Sequence, residues 1–278
     1  MKWIIFIAIL FLSGVVFADD VRVCQTEKIK YQYRIELATL ILSKTSAEYG
    51  PAGIVPYDKK DPSQSRGIAL LKQNQVDLLY LPVTGGRLKT MASVKIDIHN
   101  GMLGYRVFII NKQDKALFAG VKTLDDLRKF KGGFGKQWGD FKIFALNNLP
   151  VEGLANTSTL LKMLNQHRFD YFHRGLHEAW AEVEAVKEKY PNLMVEETIA
   201  LIYDFPVYFM FNKKNKTLKK RFEDGFRIIL KDGSYRALYK KYFETFAKKA
   251  NLNNRTIIRI KYPVPEGLPL IDTSLWLN

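Results

Sequence analysis

Two arginines follow predicted strands, where a side chain can reach a bound ligand. Arg87 comes after the apolar run at 76–81 in a Thr-Gly-Gly-Arg loop, and Arg174 comes after the apolar run at 169–172. A guanidinium offers a planar set of donors that matches a carboxylate bidentately. Both residues are therefore candidates for anion binding. The alternatives are a solvated loop arginine at Arg87 and a surface ion pair between Arg174 and Glu178, four residues later.

A glycine-rich segment at 132–140, with the sequence GGFGKQWGD, lies between a predicted strand and a helix predicted at 140–148. Glycines let backbone amides approach a ligand, and a helix start attracts anions. The segment fits neither a P-loop nor a dinucleotide fingerprint, because Lys136 is followed by Gln137 and the glycine spacing differs. Trp138 could stack on a ligand or pack between domains.

His173 and His177 have the i,i+4 spacing that a zinc site can use. No Glu lies between them, and Arg174 would repel a cation, so we interpret both as surface histidines. The one cysteine, Cys24, excludes an intramolecular disulfide and a four-thiolate zinc site. The sequence also lacks a Gly-x-Ser-x-Gly elbow. We therefore expect no metal, no cofactor and no catalytic residues.

Composition describes a basic globular chain. Of the 278 residues, 47% are hydrophobic and 26% are charged, which excludes a disordered, collagen-like or disulfide-stapled chain. The formal net charge is +15, and the segment from Lys213 to Lys261 carries most of it, with 16 basic against four acidic residues. This basic face could meet anionic lipid headgroups, an acidic permease surface or a polyanion, or it could simply be solvated.

The first eighteen residues have the layout of a secretory signal peptide. Lys2 precedes an apolar run at 3–12, and small residues at Val16 and Ala18 stand at the −3 and −1 positions before Asp19. We expect cleavage after Ala18 and an exported, soluble, periplasmic protein, with an uncleaved membrane anchor as the alternative. Nucleic acid is then not an expected partner.

Beyond the signal peptide, short apolar runs alternate with helical patterns. The pattern predicts strands at 21–24, 76–81, 169–172 and 207–211, and helices at 33–42, 61–74, 178–189, 218–230 and 234–249. Asp61 and Pro62, with Gln64, predict the start of the second helix, and Thr123 predicts the start of another. Such alternation is typical of a mostly parallel sheet with helices on both faces.

Three passages resemble the type II periplasmic solute-binding proteins, the amino-acid-binding branch (solute-binding protein family 3) of the ABC-transporter receptors. They are 67–87 (GIALLKQNQVDLLYLPVTGGR), 124–135 with its LDDL and GGFG motifs, and 231–243 (KDGSYRALYKKYF). The segments 101–106 (GMLGYR) and 168–178 (RFDYFHRGLHE) resemble a divergent subgroup of that family.

The resemblance implies an α/β fold of two lobes, with mixed, mostly parallel sheets and a two-strand hinge. Lobe one would comprise residues 19–106 and 204–278, and lobe two residues 107–203. The chain would be a monomer that binds a small anionic or zwitterionic solute between its lobes, for transport through a membrane permease or for sensing. The alternative is an enzyme on the same scaffold, dehydratase-like or a lytic accessory, with Asp140, Asp170 and Glu178 as the carboxylates near the cleft.

Six residues are candidate ligand contacts under this resemblance: Arg87, Arg174, Trp138, Tyr31, Tyr33 and Arg106. Arg87 matches the ligand-binding arginine of the family. Arg174 lies in the segment where relatives place the aspartate that holds the ligand's ammonium group. This departure favours a carboxylate-bearing ligand, held mainly by Arg87 with Arg174 in support.

Overall fold

The computed structural model describes residues 20–58, 61–270 and 273–275, with the side chains of residues 28–30 excepted. The expected signal peptide, residues 1–18, lies outside the described residues. Among the residues that are described, none of the helices combines the length and apolar character that a membrane crossing requires.

In chain order, the strands are β1 (Val21–Val23), β2 (Ile54–Pro56), β3 (Leu79–Pro82), β4 (Ala92–Ser93), β5 (Tyr105–Asn111), β6 (Gly132–Gly135), β7 (Val151–Leu154), β8 (Phe172–Gly175), β9 (Leu193–Val195), β10 (Ile199–Ile202), β11 (Val207–Phe211) and β12 (Thr256–Arg259). The helices are α1 (Lys28–Lys44), α2 (Ser46–Tyr49), α3 (Gln64–Lys72), α4 (Gly85–Thr90), α5 (Lys115–Ala119), α6 (Leu124–Leu127), α7 (Ile143–Leu146), α8 (Thr157–Asn165), α9 (Ala179–Val186), α10 (Lys216–Lys231) and α11 (Ser234–Ala250).

Lobe one is built on β1, β2, β3, β4 and β11. β1 pairs with β2 in parallel, and β11 lies between β3 and β4 with antiparallel pairing on both sides. A parallel bridge between Val23 and Leu78 connects the two small sheets. Helices α1, α10 and α11 cover this lobe, and aromatic packing fills the space beneath α10. There the ring of Phe209 lies 5.0 Å from that of Phe222 and 5.7 Å from that of Phe226.

Lobe two is built on a five-stranded sheet in the order β12-β10-β5-β8, with β9 also paired to β5. β5 runs antiparallel to its three partners, whereas β10 and β12 are parallel. β6 and β7 form a further parallel pair, which a bridge between Gly132 and Tyr171 connects to this sheet. The sheets are mixed, as expected, although antiparallel ladders outnumber parallel ones in the described part of the chain.

The C-terminal part of the described chain crosses between the lobes. β12, which the sequence assigns to lobe one, pairs with β10 in lobe two. The amide nitrogen Nδ2 of Asn147 donates to the carbonyl of Lys261 at 2.8 Å, and the Asn147 Oδ1 accepts from the Lys261 N–H at 2.8 Å. Leu268 then packs against the lobe-one apolar cluster that contains Leu70 and Leu81. The lobes are therefore connected by this segment as well as by the hinge strands.

The hinge passes a point of very close backbone approach at Gly104. The Tyr203 N–H donates to the Gly104 carbonyl at 3.1 Å, next to the register pair of Ile202 and Tyr105. A Cβ atom at position 104 would lie 2.1 Å from the Tyr203 carbonyl oxygen. Only a glycine fits without separating the two hinge strands.

We therefore expect Gly104→Ala to lower the free energy of unfolding by about 1–3 kcal/mol, the usual cost of overpacking a close contact. Chemical denaturation followed by circular dichroism measures the change. Gly139→Ala is the matched control, because a Cβ at that position meets nothing within 4 Å. Equal stability of the two variants would contradict the assignment of Gly104 as a close-approach position.

Several predicted elements are confirmed and others are shifted along the chain. The helix predicted at 33–42 begins at Lys28, and the strand predicted at 169–172 is β8, Phe172–Gly175, so Arg174 lies within the strand. β11 and the Thr123 start of α6 are confirmed, the latter as a capping box with Asp126. The second predicted helix, α3, begins at Gln64 and is capped by Ser63 rather than by Asp61. Asp61 instead accepts hydrogen bonds at 2.8–2.9 Å from Thr26 and from the Glu27 N–H, just before α1. Asp61 therefore fixes the segment that precedes α1 and does not cap α3.

The first four residues of the glycine-rich segment form a buried strand, β6. A Cβ atom at Gly133 would lie 2.2 Å from the Phe169 ring, and one at Gly135 would lie 2.3 Å from the Trp138 ring. The Gly133 N–H donates to the Tyr171 carbonyl at 2.8 Å. These glycines make room for aromatic rings, so the expectation that their amides approach a ligand is not supported. The helix expected at 140–148 is reduced to the single turn of α7.

Candidate functional site

Charged and aromatic side chains of both lobes meet between the lobes, beside α1. Arg34 of α1 lies over the Tyr31 ring, 5.3 Å from the ring centroid. The Tyr31 ring lies 6.3 Å from that of Tyr80, on β3. Arg34 also interacts electrostatically with Tyr80 and, across the interface, with Glu178 of lobe two. A contact of Tyr31 with a ligand stays a prediction.

His99 fixes the orientation of Arg34. The Nε of Arg34 donates to the Nε2 of His99 at 3.2 Å. An arginine can only donate, so this ring nitrogen of His99 must be an acceptor and the imidazole must be neutral. Burial, reinforced by the charge of Arg34 and by His177, lowers the pKa of His99 well below its ordinary value. Burial also lowers the pKa of Arg34, which forms no ion pair with a carboxylate among the described residues.

Arg106, in β5, faces this site from the hinge. Its guanidinium lies 3.2 Å from the Asp140 carboxylate and 3.6 Å from that of Glu178. The Tyr203 hydroxyl donates to the same Asp140 oxygen at 2.6 Å, and the Tyr203 ring centroid lies 5.4 Å from the guanidinium carbon. Burial alone would lower the pKa of Arg106, but Tyr203 and the two carboxylates raise it above its ordinary value.

Arg174, in β8, is held by two carboxylates of lobe two. Its nitrogens lie 2.8 Å from Glu178 and 2.5 Å from Glu182. The guanidinium carbon lies 4.9 Å from the Trp138 ring centroid and 5.1 Å from that of Phe172. The ion pair with Glu178 that the sequence offered as an alternative is therefore present, and a contact of Arg174 or Trp138 with a ligand stays a prediction.

Glu178 is the acidic centre between these arginines. Burial alone would raise its pKa, but Arg174, His177 and Arg106 together lower it to about 2. The carboxylate also accepts the Gly175 N–H at 3.0 Å. Glu178 is thus a fixed negative charge at neutral pH rather than a proton donor.

The two histidines expected at the surface are not there. His173 is fully buried, with its ring stacked 4.4 Å from that of Phe134. His177 is half-buried between the lobes, 6.3 Å from the Phe243 ring of α11. Burial, reinforced by Arg106 and Arg34, lowers the pKa of His177 to about 4. No group of side chains in the described part of the chain is arranged to hold a metal ion.

Arg87 lies at the start of α4, bound to groups of its own lobe. Its two terminal nitrogens donate to the Pro82 carbonyl at 2.6 Å and to the Gln64 side-chain oxygen at 2.5 Å. Burial lowers its pKa, and Tyr262 of the C-terminal segment partly offsets this effect. Arg87 is thus held in a fixed orientation without a carboxylate partner among the described residues, and its contact with a ligand stays a prediction.

Tyr33 belongs to the core. Its hydroxyl donates to the Ile98 carbonyl at 2.6 Å, and its ring packs 4.5 Å from that of Phe243. The side chain is only 5% exposed, so it supports α1 and does not line an open cleft.

Four buried polar atoms near the interlobe site have no hydrogen-bond partner among the described residues. They are the Tyr80 hydroxyl, the Nε of Arg106, and the Nδ1 atoms of His99 and His177. Burying such groups without a partner is costly, which marks them as candidates for ligand contact. Sequence reasoning missed Tyr80, His99 and His177. The polar tyrosine inside the apolar run at 76–81 is a signal that could have indicated Tyr80.

No protein-family model matches the chain, and no curated protein matches it. Solved structures do match. A histidine kinase sensor domain similar to periplasmic binding proteins shares 16% identity, with a TM-score of 0.54 over 76% of this chain and 85% of that one. A Streptococcus pneumoniae amino acid ABC transporter substrate-binding protein, bound to L-arginine, shares 19% identity, with a TM-score of 0.51 over 77% and 84%.

An ancestral amino-acid-binding protein, described as a precursor of cyclohexadienyl dehydratase, shares 16% identity, with a TM-score of 0.53 over 76% of this chain and 85% of that one. At such identities the likeness shows the fold alone. The chain has the two-lobed fold of the periplasmic binding proteins, as the sequence resemblance implied.

Proposed function

We propose that this protein is an exported solute-binding protein, which closes its two lobes over a small polar ligand with a carboxylate or comparable anionic group. One observation carries the proposal. Of the three arginines between the lobes, Arg106 and Arg174 are paired with carboxylates, whereas Arg34 is not. An oriented, partly buried guanidinium without a counter-ion is a ready site for an anion.

The ligand's anionic group would bind the two terminal nitrogens of Arg34, beside Tyr31. The Tyr80 hydroxyl and the Nε of Arg106 would supply further hydrogen bonds, since both are buried without a partner. This arrangement moves the centre of the proposed site from Arg87 to Arg34, on the same lobe. Arg87 remains a proposed second contact, and Arg174 with Trp138 would form the lobe-two wall.

Closure would bring the lobe-two groups onto the lobe-one groups. The hinge of β5 and β10 lies next to Arg106, so a rotation there changes the distance between Arg34 and Glu178 directly. A membrane permease or a sensor protein would recognise the closed form. The sensor domain and the transport protein that share this fold support both kinds of partner.

Thermal-shift measurements against acids, amino acids and neutral sugars test the proposal. A ligand at 100 times its Kd should stabilise the protein by about 2.7 kcal/mol. Native mass spectrometry of the purified protein would identify a ligand retained from the cell. Stabilisation by uncharged sugars alone would contradict the anionic character of the ligand.

The second candidate is an enzyme on the same scaffold, which the dehydratase precursor among the matching structures favours. Of its possible carboxylates, Asp140 and Glu178 are both bound to Arg106, and Asp170 accepts the Lys131 N–H at 2.6 Å. Glu178, with a pKa of about 2, would serve as an electrostatic group rather than as a general acid. Incubation with any stabilising ligand, followed by chromatography, separates the two functions, because an enzyme would release a new product.

Export is tested by the mass of the mature chain. From the charge, the apolar run and the small residues before Asp19, we expect the exported protein to begin at Asp19. Intact-mass measurement of the exported fraction gives the N-terminus. A chain that begins at Met1 and sediments with membranes would indicate an anchor instead.

A further inference from the structure

Helix α10 presents a line of positive charge to solvent. Lys216, Lys220, Arg227 and Lys231 are separated by four, seven and four residues, so they lie on one face of the helix, and all four are exposed. The opposite face of the helix, which includes Phe222, Phe226 and Ile229, is fully buried in lobe one. We call the four exposed residues the basic stripe.

The acidic residues nearby do not neutralise the basic stripe. Asp224 pairs with Lys220 at 2.6 Å and with Arg227 at 3.1 Å, so one carboxylate serves two cations. Lys216 and Lys231 form no ion pair with the described residues. Lys213, Lys214 and Lys219 extend the positive surface. Glu223 pairs there with Lys219 at 2.5 Å, and Asp232, next to Lys231, pairs with Lys44 at 2.6 Å. The surface as a whole is strongly cationic.

Two aliphatic side chains stand beside the basic stripe. Leu230 is 50% exposed and Ile228 is 38% exposed, and the helical spacing places them on opposite sides of the stripe. Large aliphatic groups next to lysines on an exposed helix face are typical of helices that lie on a membrane surface. Neither residue contributes to the interlobe site.

We propose that the basic stripe, with Leu230 and Ile228, docks the protein on a membrane surface rich in anionic lipid headgroups. Lysines near such a surface attract it electrostatically, and the aliphatic groups enter the boundary between headgroups and acyl chains. The aliphatic flanks favour a lipid surface over a polyanion, which would contact the charges alone. This docking is independent of the ligand site, since α10 lies on the outer side of lobe one.

Co-sedimentation with phosphatidylcholine vesicles, with and without phosphatidylglycerol, tests the proposal. We expect binding only to the anionic vesicles, and we expect it to weaken steeply with salt, because ions screen exposed charges beyond a Debye length of about 8 Å at physiological salt. The triple variant Lys214→Gln, Lys216→Gln, Lys231→Gln should weaken vesicle binding at least tenfold, since each lysine near the surface accounts for about fivefold. These three lysines make no ion pair among the described residues, so the fold should persist.

The matched control is the triple variant Lys122→Gln, Lys162→Gln, Lys189→Gln, which removes the same charge from exposed positions on lobe two. Both variants keep the whole chain, so any effect of residues 1–18 is common to them. Leu230→Ser should weaken vesicle binding and leave heparin binding unchanged. The proposal would be overturned if the two triple variants lost vesicle binding equally, or if the wild type did not bind anionic vesicles at low salt. It would also be overturned if the variant at Lys214, Lys216 and Lys231 lost heparin binding but kept vesicle binding.

Discussion

Replacing Arg34 with methionine should weaken binding of the anionic ligand by at least about tenfold. Arg34 is the interlobe arginine without a carboxylate partner, and its orientation is fixed by His99. A charge-assisted hydrogen bond contributes about 1.5–3 kcal/mol, and about 1.4 kcal/mol is a factor of ten in affinity. Isothermal titration calorimetry with a ligand found by the screen gives the affinity directly. Arg34→Lys should recover only part of it, because an ammonium keeps the charge but not the planar donor pair.

The same measurement on Arg87→Met separates the two possible centres of the site. The sequence resemblance predicts that Arg87 is the main ligand contact. We propose Arg34 instead, because both terminal nitrogens of Arg87 already donate to Pro82 and Gln64, whereas only the Nε of Arg34 has a hydrogen-bond partner among the described residues. Arg66→Met, an exposed arginine in α3, serves as the control and should bind as the wild type does. If Arg34→Met binds normally while Arg87→Met loses affinity, the interlobe site has been assigned to the wrong arginine.

Lowering the pH from 6.5 to 4.5 should destabilise the protein steeply. Burial lowers the pKa of His99, His173 and His177, which are neutral in the folded state and become protonated on unfolding, where their pKa is about 6.5. The contribution of these histidines to the free energy of unfolding is therefore complete above pH 6.5. It is lost as the pH falls towards their pKa in the folded state, which is about 4 for His177. Each proton taken up on unfolding changes the free energy of unfolding by about 1.4 kcal/mol per pH unit.

Asp97 acts in the opposite direction and reduces the expected slope. Burial raises its pKa to about 6, so the folded state takes up a proton there before the unfolded state does. With three histidines and this one carboxyl group, a net uptake of about two protons corresponds to about 3 kcal/mol per pH unit. Burial also raises the pKa of Glu182, which reduces the slope, whereas the pKa of Glu178, lowered to about 2, increases it at the acid end of this range.

Urea denaturation at a series of pH values measures the slope. His177→Gln should reduce it by up to about 1.4 kcal/mol per pH unit, because one titrating group has been removed. His167→Gln is the control, since that side chain is 43% exposed and lies away from the interlobe site. A slope that is the same in all three proteins would show that the buried histidines do not control the acid response.

The sequence predicted those parts of the fold that depend on local chemistry. Val207–Phe211 is a continuous apolar run and forms β11, and Thr123 with Asp126 forms the capping box of α6. The prediction failed where a residue finds a distant partner. Asp61 has the chemistry of a cap for the following helix, yet it accepts hydrogen bonds from Thr26, 35 residues earlier. No local pattern distinguishes these two uses of one carboxylate.

The site was harder to predict for the same reason. The sequence places Arg34 with Tyr31 and Tyr33 at the start of the first helix, at the cleft edge. Only the folded chain shows that His99, 65 residues away, orients it. The glycines of β6 suggest a ligand loop because the rings that fill the space beside Gly132 and Gly133 come from outside the glycine-rich segment, as the Phe169 ring does for Gly133. In both cases function depends on pairs that only the folded chain brings together.

The return of the chain through β12 restricts how the lobes can move. Two strands side by side act as a flexible strip, which permits both bending and twisting of one lobe against the other. The segment from β12 to Leu268 adds a tether that is fixed to lobe two at Asn147 and to lobe one beside Leu70. Because this segment lies away from the two hinge strands, it resists twisting of one lobe against the other more than it resists bending. We therefore expect the lobes to open and close by rotation about a single axis. In the proposed closing motion, these hydrogen bonds and the packing of Leu268 would restrict the path.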